Sequence, residues 1–221
     1  MAGKLYIVAS PIGNMDDITL RALKVLKDVS YILSEDTRET QKLLNHFDIQ
    51  KPQISYRDQN HASVLIKIID LMESENDLAI LSDRGTPLIS DPGFKLAREV
   101  INKGFEVVSV PGPSSVISSL VVSGLPTDKF SFLGFLPRTE SQRVKIIQKY
   151  GELDSTLIFF ESPYRIQKLL QEVKETLGDR DVCVAKELTK LHEEVYRFNL
   201  KDLSSIKIDL RGEFVVLVSK E

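Results

Sequence analysis

Tryptophan is absent from these 221 residues, cysteine occurs once and histidine three times. A lone Cys183 excludes an internal disulfide and fits a reducing, cytoplasmic compartment. His46, His61 and His192 are scattered and no CxxC or HxxxH spacing occurs, so no metal site is expected. No apolar run reaches the roughly 18 residues that a membrane span needs. The chain passes from Met1 straight into a strand-like run with no signal-peptide pattern, so no membrane partner is expected. An excess of positive charge is also lacking: 29 Lys and Arg against 32 Asp and Glu leave a net charge of −3. That excludes a protein that coats nucleic acid through bulk charge, and any RNA contact has to come from a local basic surface.

What is present is the composition of an ordinary globular protein, 42% hydrophobic and 28% charged, in a chain long enough for two domains of about 100 residues each. Short apolar runs at 4–9, 31–34, 78–81 and 107–110 read as strands. Between them, Val64, Leu65, Ile68, Leu71 and Met72 recur at helical spacing, as do Ile18, Ala22, Leu23 and Leu26 with Asp16 or Asp17 placed to cap. Asp91-Pro92 signals a further helix, with Phe94, Ala97 and Ile101 as its expected buried face. The alternation implies a largely parallel sheet covered by helices. The VPGPSS segment from Val110 is the best break, giving an N-terminal domain over 1–112 and a C-terminal domain over 113–221. In the latter, strands are expected at 130–133 and 156–160 and helices near 141–150 and after Ser162-Pro163, whose apolar face is Ile166, Leu169, Leu170, Val173 and Leu177. Strands at 181–185, 194–198 and 213–218 end the chain. They are expected to pair partly antiparallel, because 191–199 follows its predecessor too closely for a crossover helix. The fold class is α/β, two α/β domains with a cleft between them.

In open α/β sheets ligands gather at the loops beyond the carboxyl ends of the strands. Here those loops are unusual: residues 10–17 after the first strand, EDTR at 35–38, SDRGTPLISDPG at 82–93 and PGPSS at 111–115. Their glycines and prolines fix turns that let peptide groups approach a ligand, or else make tight strand-to-helix turns. Three common sites are excluded. The first loop holds only Gly13, so the G-x-G-x-x-G dinucleotide fingerprint fails, and neither a P-loop nor a GxSxG elbow occurs.

Together the loops resemble the tetrapyrrole-methylase superfamily, and more closely its branch of 16S ribosomal RNA cytidine 2′-O-methyltransferases. The resemblance rests on LYIVASPIGN at 5–14, EDTR, the 82–93 loop and PGP at 111–113. It continues through GFLP at 134–137, FFESPYR at 159–165, KELTK at 186–190 and GEFVVLV at 212–218. These eight motifs stand in order over nearly the whole chain. The resemblance implies a homodimer that binds S-adenosylmethionine between its domains and methylates a decoding-centre cytidine of the small ribosomal subunit. It implies cofactor contacts at Pro11, Asp83, Gly85, Thr86, Ser114, Ser115, Glu161, Leu188 and Glu213. For Asp83 a strand-end carboxylate suits a polar ligand edge. Ser114 and Ser115 open a helix whose N–H groups face the same way, the alternative being a plain N-cap.

Methyl transfer to a hydroxyl calls for alignment and a base. Glu35 and Asp36 are the candidates, with Arg38 holding a phosphate or fixing a carboxylate; the alternative is a Glu–Arg pair that caps the next helix. A second charged set comprises Glu161, Arg165, Lys186 and Glu187. In it Lys186 either steadies an alkoxide or phosphate or neutralises Glu161 or Glu187. Arg138, Arg143, Lys145 and Lys149 form a candidate RNA patch or a solvated helix face. Tyr56 and Tyr164 are candidates for stacking on an unstacked base, with Phe135 expected in the core. The chain departs from the family pattern at Arg84, where a small residue is usual, and in ending at Glu221 where many relatives carry a further small region. The competing functions are methylation of a small tetrapyrrole or a diphthamide precursor, and RNA binding without catalysis.

Overall fold

A computed structural model describes residues 2–220, and the chain divides into two compact units, Met1–Ser114 and Ser115–Glu221. Strands β1 (Leu5–Val8), β2 (Tyr31–Ser34), β3 (Gln53–Ser55), β4 (Leu78–Leu81) and β5 (Val107–Val110) form the first sheet. Helices α1 (Leu20–Asp28), α2 (Thr37–His46), α3 (His61–Glu73) and α4 (Phe94–Asn102) connect them. Every strand pair in this sheet is parallel, in the order β3-β2-β4-β1-β5.

Period-two alternation splits the core onto the two faces of this sheet. Ala79 and Leu81 of β4 join Ala22, Leu26, Leu43 and Leu44 from α1 and α2. Leu78 and Ile80 join Ile68, Met72, Leu96 and Val100 from α3 and α4. The chain leaves β1 and β2 toward the β3 edge over one face and leaves β3 and β4 toward the β5 edge over the other. Right-handed crossovers that change direction have to change face. Adjacent β2 and β4 are therefore left by loops that diverge, and the crevice at a switch point opens beyond their carboxyl ends.

Two expectations need correction in this unit. Asp16 and Asp17 do not cap α1: they lie in a one-turn 3₁₀ segment (Met15–Asp17), and the Thr19 hydroxyl accepts from Ala22 N instead. The buried face of α4 is Leu96, Ala97 and Val100, while Phe94 and Ile101 are exposed. Gly93, at φ 124°, stands before the helix, so α4 begins two residues after Pro92.

The second unit carries α5 (Ser115–Ser123), β6 (Phe130–Phe135), α6 (Glu140–Gly151), β7 (Thr156–Glu161), α7 (Ile166–Leu177), β8 (Asp181–Lys186), β9 (Glu194–Asn199) and β10 (Phe214–Val218). Its sheet runs β6-β7-β10-β8-β9, with β6 and β7 parallel and the other pairs antiparallel. The short return from β8 to β9 leaves no room for a crossover, which accounts for the antiparallel pair. Ile147, Leu157, Phe159, Ile166, Leu169, Leu170, Val173, Val184 and Val216 form its core. Among the described residues no helix is long and apolar enough to cross a membrane.

Candidate active site

The first unit places Glu35 and Asp83 at the crevice between β2 and β4. In the parallel register Ser34 lies opposite Leu81, so the two loops start side by side. Asp83 ties them together: its carboxylate accepts from Asp36 N at 3.0 Å. Arg57 Nε donates to the Glu35 carbonyl at 2.9 Å, fixing the loop from outside.

The two carboxylates proposed as bases differ in state. Burial raises the Glu35 pKa above its ordinary value, and the neighbouring Asp83 charge adds to the rise, against an opposing hydrogen bond from the Asp83 backbone. Asp36 goes the other way. It is the N-cap of α2, accepting from Arg38 N at 2.8 Å, and it also takes both Nε and Nη2 of Arg38 at 3.2 and 2.9 Å. That fork holds the Asp36 carboxyl well below the usual carboxylate range. The expected Glu–Arg cap of α2 is therefore an Asp36–Arg38 cap, and Glu35 is left out of it.

A fourth carboxylate joins this end of the sheet. Burial pushes Asp91 up to about 6, with Glu35 and Asp83 contributing and a hydrogen bond to Ser82 opposing. The 82–93 loop that carries it holds Leu88 and Ser90 at φ 73° and 63°, left-handed conformations that are uncommon outside glycine. Sequence reasoning used Asp91 only as a helix signal. Its recurrence in a loop already marked by Asp83 was the available clue.

The glycine-rich turns close three loops on one another. Ser10 and Gly85 exchange N–H···O bonds of 2.8 and 3.2 Å, and the Thr86 hydroxyl donates to Pro113 O at 3.1 Å. Gly85 is left-handed at φ 76°, and a Cβ there would stand 3.2 Å from Ile12 Cγ2. Pro11, Gly85, Thr86 and Ser114 are thereby drawn from the loops after β1, β4 and β5 to one end of the sheet, beside Asp83. Pro11 and Gly85 are buried, Thr86 and Ser114 half-buried and Asp83 exposed.

In the second unit the proposed residues are tied into ion pairs. Glu161 ends β7 with its side chain 1% exposed; it takes Arg165 Nε and Nη2 at 2.8 Å each and Ser162 N at 2.7 Å. Lys186 neutralises neither Glu161 nor Glu187. Its Nζ lies 2.6 Å from Asp209 and 3.0 Å from Glu194, the latter directly opposite in the β8–β9 ladder. The hydrogen bonds that Lys186 donates to Asp209 and then to Glu194 raise its pKa, so it stays charged and occupied. Glu187 and Glu213 share Lys190 at 2.8 Å each. Leu188 is buried between Glu187 and Thr189, both left-handed at φ 49° and 65°, and the Thr189 hydroxyl is buried without a protein partner. Ser115 opens α5, half-buried.

Three expectations for nucleic-acid contacts also change. Arg143 is no part of a surface patch: it is 4% exposed and forks onto the buried Glu172. Arg138, Lys145 and Lys149 do face solvent. Tyr56 is 1% exposed, its hydroxyl 2.9 Å from His61 Nδ1, so it has no face to stack with. Phe135, expected in the core, is 63% exposed, and Tyr164 is 95% exposed.

The family model for Tetrapyrrole (Corrin/Porphyrin) Methylases matches residues 4–204. A protein of Thermotoga maritima named Ribosomal RNA small subunit methyltransferase I is 44% identical over 219 residues, 98% of this chain and 98% of that protein. One of the same name from Halalkalibacterium halodurans is 41% identical over 218 residues, 98% of this chain and 75% of the relative. Among solved structures, diphthine synthase superposes with a TM-score of 0.74 at 15% identity, over 98% of this chain and 90% of that one. Uroporphyrin-III C-methyl transferase from Thermus thermophilus, complexed with S-adenyl homocysteine, superposes at 0.67 and 18% identity, over 98% and 97%. These two likenesses establish the fold.

Proposed function

Because the chain belongs to the tetrapyrrole (corrin/porphyrin) methylase family, and within it to the group of ribosomal RNA small subunit methyltransferase I, we propose that it methylates small-subunit ribosomal RNA from S-adenosylmethionine. The substrate atom is the 2′-oxygen of a decoding-centre cytidine in 16S rRNA, and the enzyme works as a homodimer in the cytoplasm. The observation that carries this is identity above 40% across 98% of the chain to relatives of that name. The arrangement of Glu35 and Asp83 at the β2–β4 crevice supports it.

The donor set suits such a cofactor. Close-approach turns at Gly85 and the paired loops around it present peptide groups and the Asp83 carboxylate. When bound, the cofactor supplies a methyl group already activated on a sulfonium. Pro11, Asp83, Gly85, Thr86 and Ser114, gathered at one end of the first sheet, would hold it. Ser115, Leu188 and Glu213 are proposed as contacts on the family resemblance alone. Glu161, with both oxygens engaged, acts by fixing Arg165 and the turn after β7.

The remaining work falls to the chain. Holding the ribose oxygen in line can lower the barrier by roughly 7–11 kcal/mol. Glu35 takes the hydroxyl proton as the oxygen–carbon bond forms, because burial gives it more proton affinity than an ordinary carboxylate. Asp36 is unsuited to that role because the Arg38 fork and the Arg38 amide occupy its lone pairs. Asp36 and Arg38 position the loop, and Lys186 positions the end of β8. The test is transfer of a labelled methyl group to purified small subunits, with the modified nucleotide mapped. A ribose-methylated cytidine in the decoding region is expected. Label that enters only a tetrapyrrole or a protein side chain would overturn the assignment.

A further inference from the structure

We infer that the end of the second unit's sheet at β6 and β7 is a rigid platform on which an unpaired base of the RNA substrate stacks, with Arg138 on its phosphate; this rests on the proposed function above. Strands β6 and β7 are parallel neighbours, so the loops that follow them leave the sheet at the same end. Two aromatic rings face solvent there: Phe135, the last residue of β6, 63% exposed and opposite Phe160 in the ladder, and Tyr164 in the loop after β7, 95% exposed. Rings presented to solvent on an ordered surface suit the unstacked bases of single-stranded RNA.

What marks this platform as built is the way its backbone is held. Three consecutive carbonyls, those of Leu136, Pro137 and Arg138, each accept from an arginine. Arg165 Nη2 donates to Leu136 O at 3.0 Å, and Arg143 Nη1 donates to Pro137 O at 3.1 Å and Arg138 O at 2.7 Å. Each guanidinium is itself fixed by a buried carboxylate, Arg165 by Glu161 and Arg143 by Glu172. Arg165 also binds the β7 loop to the β6 loop, so Phe135 and Tyr164 are carried on one frame. Two buried charges are thus committed to immobilising a four-residue turn whose outward side chains, Phe135 and Arg138, have little to pack against. The Phe135 ring meets the Phe160 ring at 5.5 Å and is otherwise largely open to solvent, and Arg138 is exposed. Such immobilisation serves binding, because a loop already ordered loses little entropy when it meets its partner. Lys145, exposed on α6, extends the positive edge, which complements phosphate in a protein that is acidic as a whole.

The absence of tryptophan supplies the probe, since Phe135→Trp introduces a sole indole. Affinity for small subunits should fall about tenfold or more in Phe135→Leu and in Tyr164→Ala, and stay near wild type in Phe135→Trp. Arg138→Ala should weaken binding and lower the salt dependence by about one counterion. Cofactor affinity and unfolding midpoint should not move in any of them. The indole at 135 should be quenched by a single-stranded RNA oligonucleotide and much less by a duplex of equal length. Phe135→Leu and Tyr164→Ala binding subunits as wild type would overturn the platform alone. Weakened subunit binding with no quenching by RNA would assign the surface to a ribosomal protein and overturn it too. Wild-type protein that neither binds nor methylates small subunits would take down the proposed function together with this inference.

Discussion

The loops at the two sheets handle charge in opposite ways. In the second unit, Glu161 is matched by Arg165, Glu172 by Arg143, Lys186 by Asp209 and Glu194, and Lys190 by Glu187 and Glu213. In the first, Arg38 holds Asp36, but Glu35 and Asp91 sit near Asp83 at the ends of β2 and β4, and their pKa values rise through burial and repulsion, Asp83 acting on both and Glu35 on Asp91. Matched charges tie a backbone into place and leave little chemistry free. Carboxylates pushed toward neutrality hold proton affinity in reserve, the state that a general base needs. The same kind of loop on the same kind of sheet is therefore tied down by ion pairs in one unit, and in the other carries the carboxylate that we propose as the base.

The sharpest way to break this comparison is at Glu35. Glu35→Gln should lower kcat about 10²- to 10⁴-fold while cofactor affinity stays near wild type, because a base is used only as the proton leaves. Asp36→Asn keeps an N-cap oxygen and should cost far less in turnover. Stopped-flow or initial-rate methyl transfer on small subunits, with a calorimetric cofactor titration, reads both. Equal losses in the two variants would mean that the loop's integrity, and not the proton affinity of Glu35, governs the rate.

Next in size is the frame. Glu172→Ala leaves the Arg143 guanidinium buried without its counter-ion and should cost about 3 kcal/mol, because breaking one side of a buried pair strands the other charge. At this chain length that lowers the midpoint by about 6–12 °C. Arg143→Met together with Glu172→Leu should recover much of the loss while freeing the Pro137 and Arg138 carbonyls. Thermal unfolding of the two variants decides it: a drop under 2 °C in Glu172→Ala would show that the pair is not matched in the way the second unit's pattern requires.

Much of the fold was legible because its signals are local. The strands at 31–34, 78–81 and 107–110 coincide with β2, β4 and β5, and the antiparallel finish followed from the length of the 187–193 connection. β3 was missed: it is three residues long with one buried side chain, too short to alternate. The α4 face was mis-phased because Phe94, Leu96, Ala97, Val100 and Ile101 surround the helix, and which side is covered depends on α3 and the sheet. Charge partners were the least legible. Lys186 meets Glu194 through ladder register and Asp209 through a distant loop, and Arg143 meets Glu172 across 29 positions. Residue types at strand ends located Glu35 and Asp83, but whether a carboxylate is matched or left raised is a property of the packed neighbours.

Asp91 tests the other half of the comparison with the smallest effect. Its folded pKa is raised to about 6, above the ordinary value of 3.8. A group raised in this way favours the fold while protonated. Its contribution is fully present below about pH 4 and is lost as pH rises through 6, where the folded state has to hold an anion that the unfolded chain solvates freely. Asp91→Asn removes that cost and keeps an oxygen able to accept from Ser82. The variant should match wild type near pH 4 and become the more stable protein above pH 6, by about 1 kcal/mol once solvent screening of a half-buried group is allowed for. That corresponds to about 2–4 °C in the midpoint. The pH at which the two curves part is the informative number, because it moves with the neighbours. In the Glu35→Gln background the repulsion from Glu35 is gone, so the Asp91 pKa should drop and the curves should part at a lower pH, closer together. Urea unfolding of the four proteins at pH 4.5, 6 and 8 reads this coupling. A constant offset between Asp91→Asn and wild type at every pH would mean that Asp91 is not raised, and that the first unit's carboxylates are held as firmly as those of the second.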